Sequence, residues 1–487
     1  MLAEVEREGI STDIDRNGWG ATAIDALSTA IIMEKWDVVE QILDFVPKID
    51  FDRSNTANDI SLFETTIRYL GGLISGKPTR RGLEKKNFLL TTTGYDLLTG
   101  PFADRFKGDS RVDALLSQAK HLADNLKVAF DTPSGIPDNN LYFSPPRRAG
   151  RETNGLATTG TLVLEWTRLS DLTGDPEYAQ LAQKAESYLL FPEPKDVGEP
   201  FPGLLGTHVR LSDGEFLDGN GGWGAETDSF YEYLIKMYLY DPERFGEYKD
   251  RWVKAADSSL IHLVSHPSSK PELTFLAEWR GKELNYYGQH RKSIISYAFS
   301  SYMTLTFLVA CFNGGNFILG GLMLLNQSYI MLGLALTDGC HATYAGTPTG
   351  IGPELFGWED LVRTRNTSHN PGPPVEQKEF YDRNGFWIRN GQYALRPEVI
   401  ESYYYAYRAT GDRRYQEWAW DAFKAINATC RVGSGYSGVT NVGAPGGGAF
   451  NNFQESFWLA ETLKYSYLIQ AEVGFFPEYL EDCADDK

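Results

Sequence analysis

Two short stretches, Leu172-Thr-Gly-Asp-Pro176 and Thr410-Gly-Asp412, each stop one amphipathic helix and start another within a few residues. Glycine readily takes the left-handed conformation that ends a helix, and Asp or Pro suits the beginning of the next. A chain punctuated in this way folds back on itself as helical hairpins, which restricts it to architectures of paired helices. Around the first junction Gly155 to Thr173 pairs with Pro176 to Leu189, and around the second Glu398 to Thr410 pairs with Arg414 to Ala428. Ala21 to Met33, with Ile24, Leu27 and Ile31 at helical spacing, has Asp37 to Phe45 as its partner. Ser61-Leu-Phe-Glu64 is a capping box that opens Glu64 to Ile74, with Ile67, Leu70 and Ile74 on one side and Glu64 and Arg68 on another. Thr227-Asp228 opens a helix that runs to about Tyr240, Pro242 starts the next, and Glu455 to Gln470 is the last long helix. Strand signals are sparse, short and confined to connections.

Hairpins of this kind either stack into a solenoid or close into an α/α barrel. No motif recurs at a fixed period of about 34 to 47 residues, as helical solenoids require, so closure is expected. The result is an all-α single domain over 487 residues, enough chain for one large core. A formal charge of −19 excludes nucleic acid and anionic membrane surfaces, both of which select for Lys and Arg. A neutral sugar remains compatible, and 11 Trp and 27 Tyr suit either carbohydrate stacking or a large helical core. Ser293 to Thr337 carries no charge, but Asn313-Gly-Gly-Asn316 and Gly320-Gly321 interrupt the run, and the apolar part before them is short for a span of about 20 residues. The chain is therefore not expected to cross a membrane.

The chemistry is carried by acids at helix starts. Pro397 suits the first position of a helix, which puts Glu398 second, with Glu401 on the same face and Arg396 just ahead. Glu64 is third in its helix, Asp228 is at or beside an N-cap, Glu455 is near the start of its helix, and Glu354 is on the loop Gly350-Ile-Gly-Pro-Glu354. Each acid taken singly is a helix cap. Together they mean more, because the inner helices of an α/α barrel run parallel and gather their N-termini at one mouth. The helix dipoles there favour ionised carboxylates, so a general acid in such a ring needs burial or like-charge neighbours to keep its proton. One carboxyl to protonate a leaving group and one to activate water is the requirement of glycoside hydrolysis.

Cysteines at 311, 340, 430 and 483 are too few for a disulfide scaffold and match no zinc spacing, though they allow one bridge. Sequons at Asn326, Asn366 and Asn427 are what a secretory protein carries. The start, Met-Leu-Ala-Glu-Val-Glu-Arg-Glu, is not a signal peptide.

These residues resemble class I α-1,2-mannosidases, glycoside hydrolase family 47, and most of all the secreted fungal enzymes. The resemblance rests on Asn17-Gly-Trp-Gly-Ala-Thr-Ala-Ile-Asp-Ala-Leu27, Ser61-Leu-Phe-Glu-Thr-Thr-Ile-Arg-Tyr-Leu-Gly-Gly72, Thr227-Asp-Ser-Phe-Tyr-Glu-Tyr-Leu-Ile-Lys236, Gly350 to Glu354, Leu395-Arg-Pro-Glu-Val-Ile-Glu-Ser402 and Gln454-Glu-Ser-Phe-Trp-Leu-Ala-Glu-Thr-Leu-Lys-Tyr465. It implies an (α/α)7 barrel, inversion at the anomeric carbon and a calcium ion at the barrel floor. It implies Glu64 as proton donor through a water, Glu398 as the base on the nucleophilic water, and Asp228 as a third catalytic carboxylate. Arg68, His290, Glu354, Arg396, Glu401, Glu455 and Glu461 would bind mannose hydroxyls or order the water shell of the ion, with Phe457 stacked on the sugar. Cys311 and Cys340 would form the family's disulfide, leaving Cys430 and Cys483 unpaired. Glu226 stands where the endoplasmic-reticulum enzymes carry a branch-restricting arginine, which implies broad α-1,2 trimming of high-mannose oligosaccharide or glycoprotein, in the secretory pathway or outside the cell, by a monomer.

Three departures accompany the resemblance. About 18 residues, Lys77 to Gly94, intervene after the helix that carries Glu64, and a similar stretch, Arg291 to Leu308, separates Gln289-His290 from Val309-Ala-Cys-Phe312. Both read as retained introns, which the mature transcript would settle. The chain ends Glu481-Asp-Cys-Ala-Asp-Asp-Lys487 without the family's Phe-Asn-Thr-Glu-Ala-His, whose Thr is the direct calcium ligand. The metal ligands are therefore unknown, and the alternative to an inverting exo-mannosidase is a silent barrel that only binds mannose glycans.

Overall fold

Two kinds of helix alternate along the chain, and burial tells them apart. The computed structural model describes residues 11–12, 17–74, 94–289, 309–362 and 370–471. In chain order the main helices are α1 (Ala21–Ile32) and α2 (Trp36–Phe45), α3 (residues 62–73), α4 (Ser110–Leu126), α5 (Leu156–Gly160), α6 (Val163–Thr173) and α7 (Glu177–Leu190). They continue with α8 (Asp228–Tyr240), α9 (Gly246–Ser258), α10 (Asn313–Leu324), α11 (Gln327–Ala345), α12 (Glu398–Thr410), α13 (Arg414–Cys430) and α14 (residues 458–468). All 12 residues of α1 are buried, whereas α13 buries only 5 of its 17, as expected of an inner helix covered all round and an outer helix with one apolar stripe. Ile24, Leu27 and Ile31 are fully buried, each contributing about 2 kcal/mol of transfer free energy.

The inner helices close a ring. α1 packs on α3, α3 on α5 and α6, these on α8, α8 on α10, α10 on α12, α12 on α14, and α14 returns to α1. Thr29 Oγ1 donates to the Leu459 carbonyl at 2.7 Å across that closure, joining residues 430 apart in sequence. With α5 and α6 taken as one broken helix, the ring has seven inner members, backed by α2, α4, α7, α9, α11 and α13. This is the (α/α)7 barrel.

Hydrogen bonds tie neighbouring inner helices, or the residues leading into them, to one another. The Ala157 amide donates to the Glu226 carbonyl (2.8 Å), Gly315 N to Ser402 Oγ (3.0 Å), Thr462 Oγ1 to the Leu395 carbonyl (2.7 Å) and Trp166 Nε1 to Thr66 Oγ1 (3.3 Å).

Strands of two to four residues fill the connections. β1 (Asn220–Gly221), β2 (Glu278–Arg280) and β3 (Glu283–Asn285) form an antiparallel sheet in the order β3-β2-β1. β4 (Tyr287–Gln289), β5 (Val309–Ala310), β6 (Leu355–Gly357) and β7 (Trp387–Asn390) form a mixed sheet in the order β5-β4-β6-β7, with β5 parallel to β4.

Three local expectations are corrected. Gly155 to Thr173 is not one helix: Thr153–Gly155 pairs with His208–Arg210 and the helix breaks after Gly160, whose missing Cβ lets Phe230 approach. Pro242 does not start a helix, since α9 begins at Gly246 and the Asp241 side chain instead accepts from the Glu243 amide. Pro397 is the N-cap, which makes Glu398 the first helical residue. Asn313-Gly-Gly-Asn316 and Gly320-Gly321, which interrupt the apolar run, lie within α10. A Cβ on Gly314 would meet Thr337 Oγ1 at 2.3 Å and one on Gly320 would meet Trp252 at 2.1 Å, so close packing outweighs the roughly 1 kcal/mol that a helical glycine costs.

Cys311 and Cys340 are bridged, with Cα atoms 5.8 Å apart, and Cys430 is a buried free thiol. No helix among the described residues is long and apolar enough to cross a membrane. His290, Cys483, Asn366, the stretch 291–308 and all but Gly94 of the stretch 77–94 lie outside the described residues.

Candidate active site

Glu64 and Arg68 are one turn apart on α3, where residues 65–70 form a wide π-helical turn, a feature that often re-aims side chains at functional sites. Ser61 Oγ accepts from the Glu64 amide at 3.1 Å, the cap that its sequence announces. Arg68 Nε donates to Glu64 Oε2 at 2.7 Å, and its Nη1 is 3.6 Å from Asp25 Oδ2 on α1. Ser456 Oγ donates to the same Asp25 oxygen, which ties the approach to α14 into this cluster.

The Phe457 ring links this group to the next. The Arg68 guanidinium carbon is 5.3 Å from its centroid and that of Arg396 is 5.2 Å away. Arg396 Nε donates to Glu354 Oε1 at 3.1 Å, and the Ala394 amide donates to the same oxygen at 3.1 Å. Burial alone would lower the Arg396 pKa, but Glu354, Glu398 and Glu455 outweigh it and leave the guanidinium held more firmly protonated than usual. Glu398, Glu401 and Glu455 are all buried. Glu401 Oε1 accepts from Tyr465 Oη at 2.9 Å, and the Tyr465 hydroxyl, raised by burial, also feels Glu461.

Asp228 is fully buried at the first position of α8, its Oδ1 accepting from the amide (2.8 Å) and hydroxyl (3.2 Å) of Ser229. One and two turns further on, Glu232 and Lys236 form a buried ion pair. These three residues share one face of α8, and that face looks inward: Tyr233 donates to Glu165 Oε1 at 2.7 Å, and the field of Glu232 reaches Glu165, Tyr233 and Tyr465. Burial pushes the Glu165 carboxyl up to about 7, with the Tyr233 hydroxyl opposing. Burial likewise pulls the Lys464 ammonium down to about 8, with Glu461 and Asp25 opposing.

The structure thus joins Glu64, Arg68, Phe457, Arg396, Glu354, Glu398, Glu455, Glu401 and Glu461 through contacts or through-space fields inside one ring, with Asp228 at the head of a helix facing the same interior. Asp25, Glu165, Glu232, Lys236 and Lys464 belong to it as well, and the sequence reading passed over them. Only Glu232 and Lys236 carry a sign in the sequence, since they repeat from Asp228 at intervals of four. Among the described residues no three acidic, His or Cys side chains converge closely enough to hold a metal ion.

An interior with one flat aromatic ring, two guanidinium donors and many carboxylate acceptors suits a polyhydroxylated ring. Its several acids supply both halves of a hydrolysis.

Comparison with known proteins agrees with this chemistry. The model of glycosyl hydrolase family 47 matches residues 5–481. A probable mannosyl-oligosaccharide α-1,2-mannosidase 1B of Aspergillus clavatus is 54% identical over 457 residues, covering 94% of this chain and 80% of that protein. The mannosyl-oligosaccharide α-1,2-mannosidase 1B of Aspergillus phoenicis is 52% identical over 457 residues, with the same 94% and 80% coverage. The solved structure of α-1,2-mannosidase from Trichoderma reesei superposes with a TM-score of 0.84 at 49% identity, over 94% of this chain and 86% of that one.

Proposed function

The chain belongs to glycosyl hydrolase family 47, and on that premise we propose how its residues perform the hydrolysis. It is a glycoside hydrolase, a mannosyl-oligosaccharide α-1,2-mannosidase by its relatives' activity. The substrate is a high-mannose glycan of the secretory pathway, cut one terminal α-1,2-linked mannose at a time.

The observation that carries the assignment is the shared interior: Phe457 stands between the Arg68–Glu64 pair and the Arg396–Glu354 pair. In this reading the terminal mannose lies against Phe457, and Arg68, Arg396, Glu354, Glu401, Glu455 and Glu461 engage its hydroxyls. Glu64 delivers the proton to the glycosidic oxygen. Glu398, at the positive end of α12, takes a proton from the attacking water on the opposite face of the sugar. Asp228 holds and polarises the site between them. Attack by water and departure of the leaving group on opposite faces turn an α-mannoside into β-mannose.

Enzymes of this family depend on calcium. The described residues offer no direct cage for the ion, and no step above passes through it. Chelation is the check: activity that survives EDTA removes calcium from this chain's chemistry.

The test of the mechanism is the anomer first released from α-1,2-linked mannobiose, followed by proton NMR. β-Mannose as the initial product supports inversion, and α-mannose rules it out.

A further inference from the structure

Beside the turn that leads into α8 a carboxyl group is buried with no hydrogen-bond partner among the described residues. Glu278, on β2, has no exposed surface, and among the described residues neither of its carboxyl oxygens meets a hydrogen-bond partner. Its side chain lies on the backbone of Gly222: a Cβ placed there would be 3.0 Å from Glu278 Cγ and 3.3 Å from both Cδ and Oε1.

Gly222 opens the turn that leads into α8. Thr227 Oγ1 donates to the carbonyls of Gly222 (2.8 Å) and Gly224 (3.0 Å), and the Asp228 amide donates to Gly224 O (2.8 Å). Glu226 sits in this turn at φ 75°, a left-handed conformation that a residue with a side chain holds only under constraint. The strand entering the turn is fixed from the same side, because β2 pairs with β1 through Trp279 opposite Gly221 and Arg280 opposite Asn220.

We propose that Glu278 is a positioning residue: its carboxyl braces Gly222 and, through the turn from Gly222 to Asp228, sets where Glu226 and Asp228 stand. The proposal rests on the mannosidase reading and adds to it a group that touches no substrate. A buried carboxyl with no partner stays protonated, and burial raises Glu278 well above the usual carboxylate range. The groups facing it divide. Arg280 on its own strand and Arg389 on β7 favour its ionised form, while Glu226 across the turn opposes it, and Tyr287 on β4 is itself raised by burial and by Glu278. Ionisation at alkaline pH would put a second negative charge beside Glu226 under a turn that has no room to move, so the brace works only while the carboxyl is neutral.

The experiment compares wild type with Glu278→Gln, a neutral side chain of nearly the same shape. Mannose release from α-1,2-mannobiose is followed from about pH 5 to about pH 9, and thermal unfolding is followed at both ends of that range. Expected for the variant are kcat within about twofold of wild type at acidic pH and an alkaline fall that begins at higher pH or vanishes. Its melting temperature should exceed that of wild type by more at alkaline than at acidic pH, because the unfolded chain ionises Glu278 readily and the folded one does not. Profiles of rate and unfolding that superimpose on wild type overturn the proposal. So does a kcat lowered more than about tenfold at every pH, which would make the proton itself part of the chemistry. A wild-type chain that releases no mannose fails the mannosidase reading and this proposal together, whereas an active wild type matched by Glu278→Gln fails this proposal alone.

Discussion

Arg68 grips Glu64 from one turn further along the same helix, with Nε 2.7 Å from Oε2 and the two side chains 11% and 17% exposed. On an open helix surface such a pair contributes only about 0.2–0.5 kcal/mol, so its interest lies in what it orients. Glu64→Gln leaves Arg68 an oxygen to bind and changes the volume little, but it removes the proton that the proposed acid would transfer. The expected result is a kcat lower by about 10²- to 10⁴-fold, with KM and melting temperature near wild type. Initial rates of mannose release, measured beside a thermal melt, decide it. A variant as fast as wild type would strip Glu64 of the acid's role.

The Arg396–Glu354 pair predicts a stability effect. Arg396 is 2% exposed and Glu354 4%, so neither charge has water to fall back on. Glu354→Ala strands the guanidinium and also takes the acceptor from the Ala394 amide. Removing one partner of a buried pair costs about 3–5 kcal/mol, and the urea midpoint should fall accordingly. Glu354→Gln, which can still accept, should lose less.

How much of this was legible in the chain depends on whether the signal was local. The hairpins were readable because Gly174 and Gly411 mark helix ends at left-handed φ values of 74° and 69°, a requirement one residue can announce. The bounds of α12 were readable for the same reason. The acids at helix starts were found because capping leaves a mark within four residues. Asp25, Glu232 and Lys464 left no such mark, and their meaning depends on which faces of α1, α8 and α14 turn inward once the ring closes. The glycines of α10 give no sign in sequence of the helix that holds them. Thr337, Tyr405, Trp252 and Ile330, packed where side chains would otherwise be, explain why a helix keeps them.

The disulfide should carry a measurable share of stability. Cys311 and Cys340 are 29 residues apart, and closing a loop of that length removes unfolded-state entropy worth about 3.5 kcal/mol. The double variant Cys311→Ala, Cys340→Ala should show that loss by urea denaturation and still release mannose at temperatures well below its midpoint. A midpoint equal to that of the wild type would show that the bridge does not constrain the unfolded chain.

Glu165 gives the clearest dependence on pH, and its sign follows from linkage. Its folded pKa is raised, by burial first of all, from 4.5 to about 7. Between these values the folded state holds a proton that the unfolded state has released, so folding becomes less favourable as pH rises. The loss begins near the unfolded pKa, grows to about 3 kcal/mol as pH reaches the folded value, and then levels off. Glu165→Gln cannot titrate, and its amide oxygen can still accept from Tyr233. The variant should therefore gain stability on wild type as pH is raised from about 4.5 to about 7, with no further gain above that. Urea unfolding of both proteins at several pH values gives the difference directly. A gap that stays constant across the window would mean that Glu165 ionises as easily in the folded barrel as in the open chain, and that Tyr233 and the cations near it offset the burial in full.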